Sequence, residues 1–424
     1  MDTLIKNGVF ALRDELVSGD LRIEAGVIQD LGRAITPKPG QKVFDARGAL
    51  IAPGLVDVHV HLREPGFTVK ETIKSGSLAA ARGGFTTICA MPNLSPAPET
   101  PALFKEQTMR NQKDGIVHVL QYAPITLGLR SEELTEMPAL AQAGAFAFTN
   151  DGVGVQTAGV MYQAMKRAAA LGKAIVAHTE DDSLLFGGVM HEGQKNKVLG
   201  LPGILSVAES SQIARDVLLA EATGVHYHIC HVSAKESVAV IRAAKQAGIH
   251  VTAEVTPHHL LLNEEDIPRD HGFWKMNPPL RGKADQEALI AGLLDGTIDC
   301  IATDHAPHTA AEKEQSMRKA AFGIVGSETA FSLLYTKFVK TKIFTLKQLL
   351  HWLSSAPSDL FGLDRGRLVL GKPADLAVFD LAQEDTIDPA KFLSKGRNTP
   401  FGGKAVYGRT LATFVGGRQV YGGE

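Results

Sequence analysis

Several histidines and aspartates in the sequence are spaced so that they could bind metal ions. The clearest group is Asp57-Val58-His59-Val60-His61-Leu62-Arg63, where polar and apolar residues alternate up to a Glu-Pro-Gly turn. Side chains alternate between the two faces of a strand, so we expect the four polar residues to share one buried face. Buried polar groups need a partner, and two imidazoles on one face can bind the same ion. The alternative is a polar edge strand whose histidines are there by chance.

These residues belong to a long middle region in which strand-like and helix-like patterns alternate. Short apolar runs bounded by turn residues predict eight strands, and helical spacing of apolar residues lies between most of them. The predicted strands cover residues 54–62, 86–91, 117–122, 145–149, 174–178, 225–231, 250–255 and 300–304. Such strand–helix units predict an α/β fold with a (β/α)8 TIM-type barrel, whose active site lies at the carboxyl ends of the strands. We therefore assign residues 54–365 to a metal-dependent catalytic barrel.

The two ends of the chain differ from this middle region. They carry short apolar runs interrupted by glycine and aspartate, such as residues 20–31 near the start and 374–380 near the end. Runs of this kind predict short strands and turns. Because both ends share this character, we expect residues 1–53 and 366–424 to form one small β-sandwich domain.

Residue types that bind metal ions recur where the predicted strands end. The candidates, in chain order, are His59, His61, Asp151, His178, His231 and Asp304. Nitrogen and oxygen donors of this kind suit zinc, and the set is large enough for two ions. Bound ions lower the pKa of a water and polarise a carbonyl group, while a nearby carboxylate moves the proton, a role for which Asp304 is best placed. For Asp151 the alternative is an ordinary surface Asn-Asp-Gly turn.

Three polar residues at the same predicted rim are not needed as metal ligands. They are Arg63, Asn93 and His308. A guanidinium group is suited to binding a carboxylate through two hydrogen bonds. We therefore expect a substrate with a carboxylate beside the bond that is hydrolysed. An Arg63 paired with Glu64 or Glu71 is the alternative.

The overall composition restricts the partners of the protein. The chain has 424 residues and a net charge of −2, without a basic stripe that would bind nucleic acid. No apolar run is long enough to cross a membrane, and the N-terminus does not resemble a signal peptide. Cys89, Cys230 and Cys300 are far apart and predict no disulfide framework. These features predict a cytoplasmic protein whose ligand is a small molecule.

Two motifs stand out: the opening motif, residues 57–66, and Ala302-Thr303-Asp304-His305-Ala306-Pro307-His308 with Lys313 after it. Together they resemble the signature motifs of the dihydroorotase family, in the bacterial class I branch of the amidohydrolase superfamily. Shorter matches occur at Met91-Pro92-Asn93, Asn277-Pro278-Pro279-Leu280-Arg281, Ala374-Asp375-Leu376 and Asn398-Thr399-Pro400-Phe401. The resemblance covers essentially the whole chain.

The resemblance implies a role for each matching residue. His59 and His61 would bind one zinc ion and His178 and His231 the other. Asp151 would bridge the ions where many relatives carry a carboxylated lysine, and Asp304 would be the catalytic acid and base beside them. The implied substrate contacts come from His61, Arg63, Asn93, Asn277, His308 and the backbone at Phe322 and Gly323.

The implied reaction is the reversible, zinc-dependent cyclisation of N-carbamoyl-L-aspartate to L-dihydroorotate in de novo pyrimidine (UMP) biosynthesis. A homodimer and association with an aspartate transcarbamoylase are further expectations, and the polar segment 309–319 is predicted to be a mobile loop that closes over substrate. Two alternatives stay open: a related cyclic amidase (hydantoinase or allantoinase), and an inactive dihydroorotase-like subunit of a transcarbamoylase complex. Arg63 argues against the first, and the retained ligands argue against the second.

Overall fold

The computed structural model describes residues 2–12 and 15–422, and within them the chain is a mixed α/β protein, as predicted. The first strands are β1 (Thr3–Leu12), β2 (Glu15–Glu24), β3 (Val27–Gly32), β4 (Lys42–Asp45), β5 (Leu50–Pro53), β6 (Leu55–Val60), β7 (Phe85–Ala90), β8 (His118–Gln121) and β9 (Ile175–Ala177). They are followed by β10 (Met190–His191), β11 (Gly203–Ile204), β12 (Tyr227–Ile229), β13 (Val251–Val255), β14 (Cys300–Ile301), β15 (Leu376–Asp380), β16 (Asp385–Thr386), β17 (Ala405–Val406), β18 (Arg409–Val415) and β19 (Arg418–Tyr421).

One large sheet joins strands from both ends of the chain. Its order is β19-β18-β15-β5-β1-β2-β3, with β4 paired alongside β1. The two ends meet at the antiparallel pair of β5 and β15, in which Leu50 lies opposite Phe379. This sheet has a hydrophobic core of its own, formed by Ile5, Phe10, Leu21, Ile23, Ile28, Ala46, Ala49, Ile51, Ala374, Leu376, Val378, Ala412 and Phe414.

The middle strands pair in parallel. One sheet has the order β6-β7-β8 and another the order β9-β12-β13-β14, while β10 with β11 and β16 with β17 form small separate pairs. Isolated parallel bridges lie between the two larger sheets: Phe148 pairs with Ala123 and with Ile175, and Val60 pairs with His305 after β14. The strand predicted at residues 145–149 is present only as these bridges at Phe148. Parallel pairing gives the segments a common carboxyl end.

Helices follow most of the middle strands. They are α1 (Ile73–Arg82), α2 (Pro101–Asp114), α3 (Met137–Gln142), α4 (Ala158–Ala170), α5 (Lys195–Leu199), α6 (Val207–Thr223), α7 (Lys235–Gln246), α8 (Pro257–Leu261), α9 (Lys283–Leu294), α10 (Ala310–Lys313), α11 (Ala330–Leu334), α12 (Leu346–Leu350) and α13 (Ala356–Leu360). α11 and α12 continue into π-helical turns at Tyr335–Val339 and His351–Ser355. Within the described ranges, no helix combines the length and apolar content that a bilayer-spanning segment needs.

Threonine caps determine where several of these helices begin. Thr72, Thr100 and Thr157 precede α1, α2 and α4, and each hydroxyl accepts a hydrogen bond from the backbone N–H three residues later. The hydroxyl satisfies a donor that the first helical turn leaves free, which stabilises the helix start by about 1 kcal/mol. Each cap ends a loop that leaves the carboxyl end of a strand. The caps therefore help to fix the loops that carry the candidate site.

Candidate active site

The predicted metal-binding residues meet at the carboxyl ends of the middle strands. His59 lies in β6 and His61 just after it, whereas His178 follows β9 and His231 follows β12. The carboxylate of Asp151 lies among them, with Oδ1 3.3 Å from His59 Nε2 and 3.6 Å from His231 Nε2. Oδ1 is also 3.9 Å from His178 Nδ1, and Oδ2 is 3.4 Å from His61 Nε2. Two groups of potential ligands therefore share Asp151, one with His59 and His61, the other with His178 and His231.

The chemistry of this cluster fits a metal ion. His59 Nε2 and Asp151 Oδ1 are buried, and neither makes a hydrogen bond to any residue that the structure describes. Unsatisfied buried polar atoms cost about 1–3 kcal/mol each unless another group binds them. Histidine nitrogens and carboxylate oxygens are the ligands that zinc and similar divalent ions take in proteins. A divalent ion bound among these atoms would satisfy them.

Two buried glutamates that were not among the predicted residues hold the histidines in place. Glu254 in β13 accepts a hydrogen bond from His59 Nδ1 at 2.6 Å and another from His228 Nε2 at 3.1 Å. Glu180 accepts one from His178 Nε2 at 2.9 Å. An ionised carboxylate only accepts, so in His59 and His178 the nitrogen that faces the glutamate carries the proton and the other nitrogen is left for a metal ion. The sequence signal for Glu254 is a lone acidic residue within an apolar strand.

Electrostatic interactions keep the carboxylates of the cluster ionised. Burial raises the pKa of Glu254, but the charge that His59 carries when both its nitrogens are protonated, together with the hydrogen bond from His228, outweighs it and lowers this pKa to about 2. Burial likewise opposes the ionisation of Asp304, yet His59 and His61 hold its pKa below the ordinary value. Asp304 is therefore ionised at neutral pH and can accept a proton.

The predicted catalytic residue, Asp304, lies against the same histidines. Its Oδ1 atom is 3.1 Å from His61 Nε2 and 3.4 Å from His59 Nε2. The preceding residue, Thr303, donates hydrogen bonds to Asp57 from its backbone N–H at 3.0 Å and from its hydroxyl at 2.6 Å. Asp57 thus fixes the backbone that carries Asp304, and it also accepts a hydrogen bond from the backbone N–H of His59.

Three residues of the site have a left-handed backbone, which only glycine adopts freely. Arg63, His231 and Asp304 have φ angles of 61°, 33° and 47°. Such strain persists where the surroundings impose it, and it is concentrated at functional sites.

The strand that carries His59 is less regular than its sequence suggests. β6 ends at Val60, and its pairing with β7 has an irregular register between Asp57 and Val60. The pairing is thus less regular than predicted, but His59 and His61 both reach Asp151 and Arg63 lines the cleft with His61, so these three residues of the predicted polar face meet at the site.

A cleft of about 180 Å³ opens at the cluster. Its lining includes every residue predicted to contact substrate, namely His61, Arg63, Asn93, Asn277, His308, Phe322 and Gly323. Asp151, His178, His231 and Asp304 also line the cleft, whereas His59 is fully buried. The structure thus brings the predicted metal ligands and the predicted substrate contacts to one cavity.

The guanidinium group of Arg63 lies in this cleft without a carboxylate partner. Its Nη2 atom is 3.4 Å from His308 Nε2, and Nε donates to the carbonyl oxygen of Pro307 at 3.4 Å. In the part of the chain that the structure describes, no carboxylate lies within ion-pair distance, so the alternative pairing with Glu64 or Glu71 does not form. An arginine in this state is available to bind an anionic ligand.

The segment that follows Asp304 is more buried and more hydrogen-bonded than its polar composition predicts. Residues 309–319 include α10, and both Lys313 and Met317 are buried. The Nζ atom of Lys313 donates hydrogen bonds to three backbone carbonyl oxygens. These contacts anchor the segment, while its movement over substrate stays a prediction.

Comparison with known proteins identifies the family. A family model described as dihydro-orotase-like matches residues 48–237. A dihydroorotase from Enterococcus faecalis (strain ATCC 700802 / V583) is 66% identical over 418 residues, which cover 98% of each chain. The chain belongs to the dihydroorotase family. Dihydroorotases from Geobacillus thermodenitrificans and Bacillus caldolyticus are 60% and 58% identical over at least 98% of each chain, and the family predicted from the two sequence motifs is confirmed.

Solved structures of hydantoinases share the fold of this dihydroorotase family member. An L-hydantoinase (dihydropyrimidinase) from Arthrobacter aurescens has a TM-score of 0.89 and 26% identity, covering 99% of this chain and 96% of its own. A dihydropyrimidinase from Brevibacillus agri NCHU1002, at 22% identity, has a TM-score of 0.87 and covers 100% and 95%. Membership of the dihydroorotase family makes the chain a cyclic amide hydrolase with a small-molecule substrate. The histidine and aspartate groups of the cleft imply that it binds a metal.

Proposed function

We propose that this chain is an active dihydroorotase, which interconverts N-carbamoyl-L-aspartate and L-dihydroorotate in de novo pyrimidine biosynthesis. The observation that carries the proposal is Arg63, whose guanidinium lacks a carboxylate partner among the described residues and lines the same cleft as the metal-binding cluster. Both compounds carry a carboxylate near the reacting amide, which a guanidinium can bind through two hydrogen bonds. The identity of 56–66% to dihydroorotases supports the same activity.

The proposed cofactor is zinc, as two ions per chain. His59, His61 and Asp304 would hold one ion, and His178 and His231 the other, with Asp151 between them. The donor types and the unsatisfied buried atoms of His59 and Asp151 support this assignment. Zinc bound there would lower the pKa of a water molecule and polarise the scissile carbonyl group.

Side chains of the cleft carry out the proton transfers and bind the substrate. In hydrolysis, a water molecule adds to the carbonyl carbon of the ring amide, and Asp304 takes a proton from it and delivers this proton to the ring nitrogen as the C–N bond breaks. In cyclisation, the same carboxylate takes the proton from the carbamoyl nitrogen as it attacks the side-chain carboxyl carbon, and delivers this proton to the oxygen that leaves as water. Arg63, with Asn93 and His308, holds the α-carboxylate of the substrate, so the reacting bond lies beside Asp304. The other proposed contacts to the substrate come from His61, Asn277, Phe322 and Gly323.

We also propose the division of the chain into two domains. Residues 54–365 form a (β/α)8 barrel, and residues 1–53 with 366–424 form a small β-sandwich domain. The parallel bridges at Phe148 and His305, which lie between the two parallel sheets, support the barrel. The separate hydrophobic core of the large sheet supports the small domain. Of that domain, Met1, Arg13, Asp14, Gly423 and Glu424 lie outside the described residues.

A cytoplasmic location, a homodimer and association with an aspartate transcarbamoylase complete the proposal. Cys89, Cys230 and Cys300 are buried and form no disulfide, which fits a protein from a reducing compartment. The two assembly states follow from the family resemblance. Light scattering of the protein alone, and after mixing with an aspartate transcarbamoylase, tests them.

The deciding experiment combines metal analysis of the purified protein with assays in both reaction directions. We expect about two zinc ions per chain, as in two-metal hydrolytic sites, and turnover of both dihydroorotate and N-carbamoyl-L-aspartate. Hydantoin and allantoin lack the carboxylate and should be poor substrates. Turnover of either one without turnover of dihydroorotate would favour a cyclic amidase of the kind suggested by the hydantoinase neighbours. Metal-free protein that turns over none of them would favour an inactive subunit.

A further inference from the structure

Lys313 is a fully buried lysine whose Nζ atom has three hydrogen-bond partners among the described residues, all of them backbone carbonyl groups. Its Nζ atom donates to the carbonyl oxygens of Lys275 and Ala321, both at 2.8 Å, and of Gly323 at 2.7 Å. Over the described ranges of the chain, no carboxylate lies within ion-pair distance of it. An ammonium group has three N–H donors, one for each carbonyl, whereas a neutral amine has only two. The geometry therefore matches the charged form, although burial and nearby Lys275 lower the pKa of Lys313 to about 7.

A second buried lysine, Lys275, holds the neighbouring part of the same segment. Its Nζ atom donates to the carbonyl oxygen of Ala320 at 2.7 Å and lies 4.1 Å from the centre of the Phe322 ring. Its own carbonyl oxygen accepts hydrogen bonds from the Gly323 N–H at 3.0 Å and from Lys313 Nζ. The two lysines therefore contact every residue from Ala320 to Gly323.

Gly323 both bonds to these lysines and lines the cleft. It has a φ angle of 129°, and a Cβ atom there would come within 2.7 Å of Ala306 Cβ and 3.3 Å of His308 Nε2. Its N–H is used by Lys275, and its carbonyl oxygen accepts from Lys313 and, at 3.0 Å, from Asn398 Nδ2. Both backbone groups of Gly323 are therefore occupied within the protein.

Phe322 also lines the cleft, beside Gly323. In contrast to Gly323, its backbone N–H and C=O have no hydrogen-bond partner among the described residues. One donor and one acceptor on a single residue match the imide edge of a dihydropyrimidine ring, which offers a carbonyl oxygen beside an N–H. Of the two residues proposed to contact the ring, Phe322 therefore has backbone hydrogen-bonding groups available, whereas Gly323 lines the cleft with those groups already used.

We propose that Lys313 is a positioning residue that fixes Gly323 and thereby holds the free backbone groups of Phe322 at the place where the substrate ring binds. Lys275 assists by holding Ala320 and the Phe322 ring. The role of the ring contact rests on the proposed dihydroorotase function. The fixation of the segment does not, so the two can be tested separately.

The test compares Lys313→Met with Lys319→Met, which changes an exposed lysine of the same segment. Lys313→Met removes one donor from each of three carbonyl oxygens and leaves that of Ala321 with none among the described residues, so we expect the KM for dihydroorotate to rise roughly tenfold while kcat changes less than about threefold. Zinc content should stay that of the wild type. Hydrogen–deuterium exchange of the peptide spanning residues 320–324 should be faster in Lys313→Met and unchanged in Lys319→Met. A lysine needed only for folding would lower the active fraction and leave KM unchanged.

Unchanged exchange in residues 320–324, or an unchanged KM in an active Lys313→Met enzyme, would overturn the inference. If the wild type does not act on dihydroorotate, the proposed function fails, and the exchange measurement still decides whether Lys313 fixes the segment. If Lys313→Met does not fold, Lys275→Met removes one carbonyl contact and the contact with the Phe322 ring. It should show the same faster exchange and higher KM, and wild-type values for both would again overturn the inference.

Discussion

Replacing Glu254 by glutamine should weaken metal binding at both positions of the cluster while leaving the shape of the side chain nearly unchanged. The carboxylate accepts hydrogen bonds from His59 Nδ1 and His228 Nε2, and from the backbone N–H of His231 at 3.3 Å. Glutamine offers one acceptor and one donor group. One of the two histidine N–H groups would then face an N–H donor instead of an acceptor.

The size of the effect follows from the position of Glu254. It is fully buried and contacts one histidine from each of the two ligand groups. Loss of a carboxylate that orients a metal-binding histidine typically weakens metal binding about 10–100-fold, or roughly 1.4–2.8 kcal/mol. Because the pKa of Glu254 is about 2, a full negative charge is lost at any pH near neutral. We therefore expect a loss near the upper end of that range.

The assay titrates the apoprotein with zinc in competition with a chromophoric chelator, and then measures kcat at saturating zinc. Glu287→Gln, which changes an exposed glutamate on α9, is the matched control and should bind zinc like the wild type. A Glu254→Gln protein that folds and binds zinc within about twofold of the wild-type affinity would refute the reasoning, since the expected loss is about tenfold or more.

Three further predictions concern the cleft itself. Asp304→Asn should lower kcat about 10²–10⁴-fold in both directions, because no carboxylate is left to move the proton. Zinc content should stay that of the wild type, because asparagine keeps an oxygen donor and the other ligands are unchanged; near-normal turnover would contradict the role of Asp304. Arg63→Met should raise the KM for dihydroorotate roughly 10–100-fold, because a charge-assisted contact through two hydrogen bonds is lost. An unchanged KM in steady-state kinetics would remove the main argument that the substrate carries a carboxylate. Removing zinc with a chelator should lower the melting temperature measured by calorimetry, since zinc at 100 times its Kd stabilises the folded state by about 2.7 kcal/mol. An identical melting temperature for the apoprotein would show that the cluster does not bind zinc.

The sequence predicted the metal-binding cluster best where a polar residue ends an apolar run. His178, His231 and Asp304 could be placed this way because a strand of a parallel sheet delivers its last residues to a common edge. The Asn-Asp-Gly turn at Asp151 was a weaker signal, and only the distances to four histidines show that its carboxylate lies at the centre.

The residues that support the cluster could not be predicted, because their partners depend on strand pairing. β12 pairs with β13 so that Ile229 lies opposite Ala253, which brings the next residue, Glu254, level with the end of β12 and the backbone of His231. No local pattern reveals this register. The irregular pairing of β6 has the same origin, since the alternation of residues 57–63 suggests a regular strand and only the contact with β7 shows otherwise.

Lys313 shows a different limit of sequence reasoning. Lysine in a polar segment is normally exposed, so composition predicted a solvated loop after Asp304. Burial became possible because three carbonyl oxygens, one from Lys275 and two from Ala321 and Gly323, converge on its Nζ atom. Such convergence is a property of the folded backbone and leaves no trace in the spacing of residue types.

The large sheet has a consequence for synthesis of the protein on the ribosome. β5 leaves the ribosome before the whole middle region, yet its neighbour β15 is made roughly 300 residues later. Translation adds roughly 5–20 residues per second, so this edge of β5 stays unpaired for tens of seconds until β15 has been made. Until then it offers unpaired backbone groups to other chains, and pairing over such a sequence distance is slow. A circular permutant that joins the natural ends and opens within the middle region would make both halves of the sheet in succession, and so complete it earlier during translation.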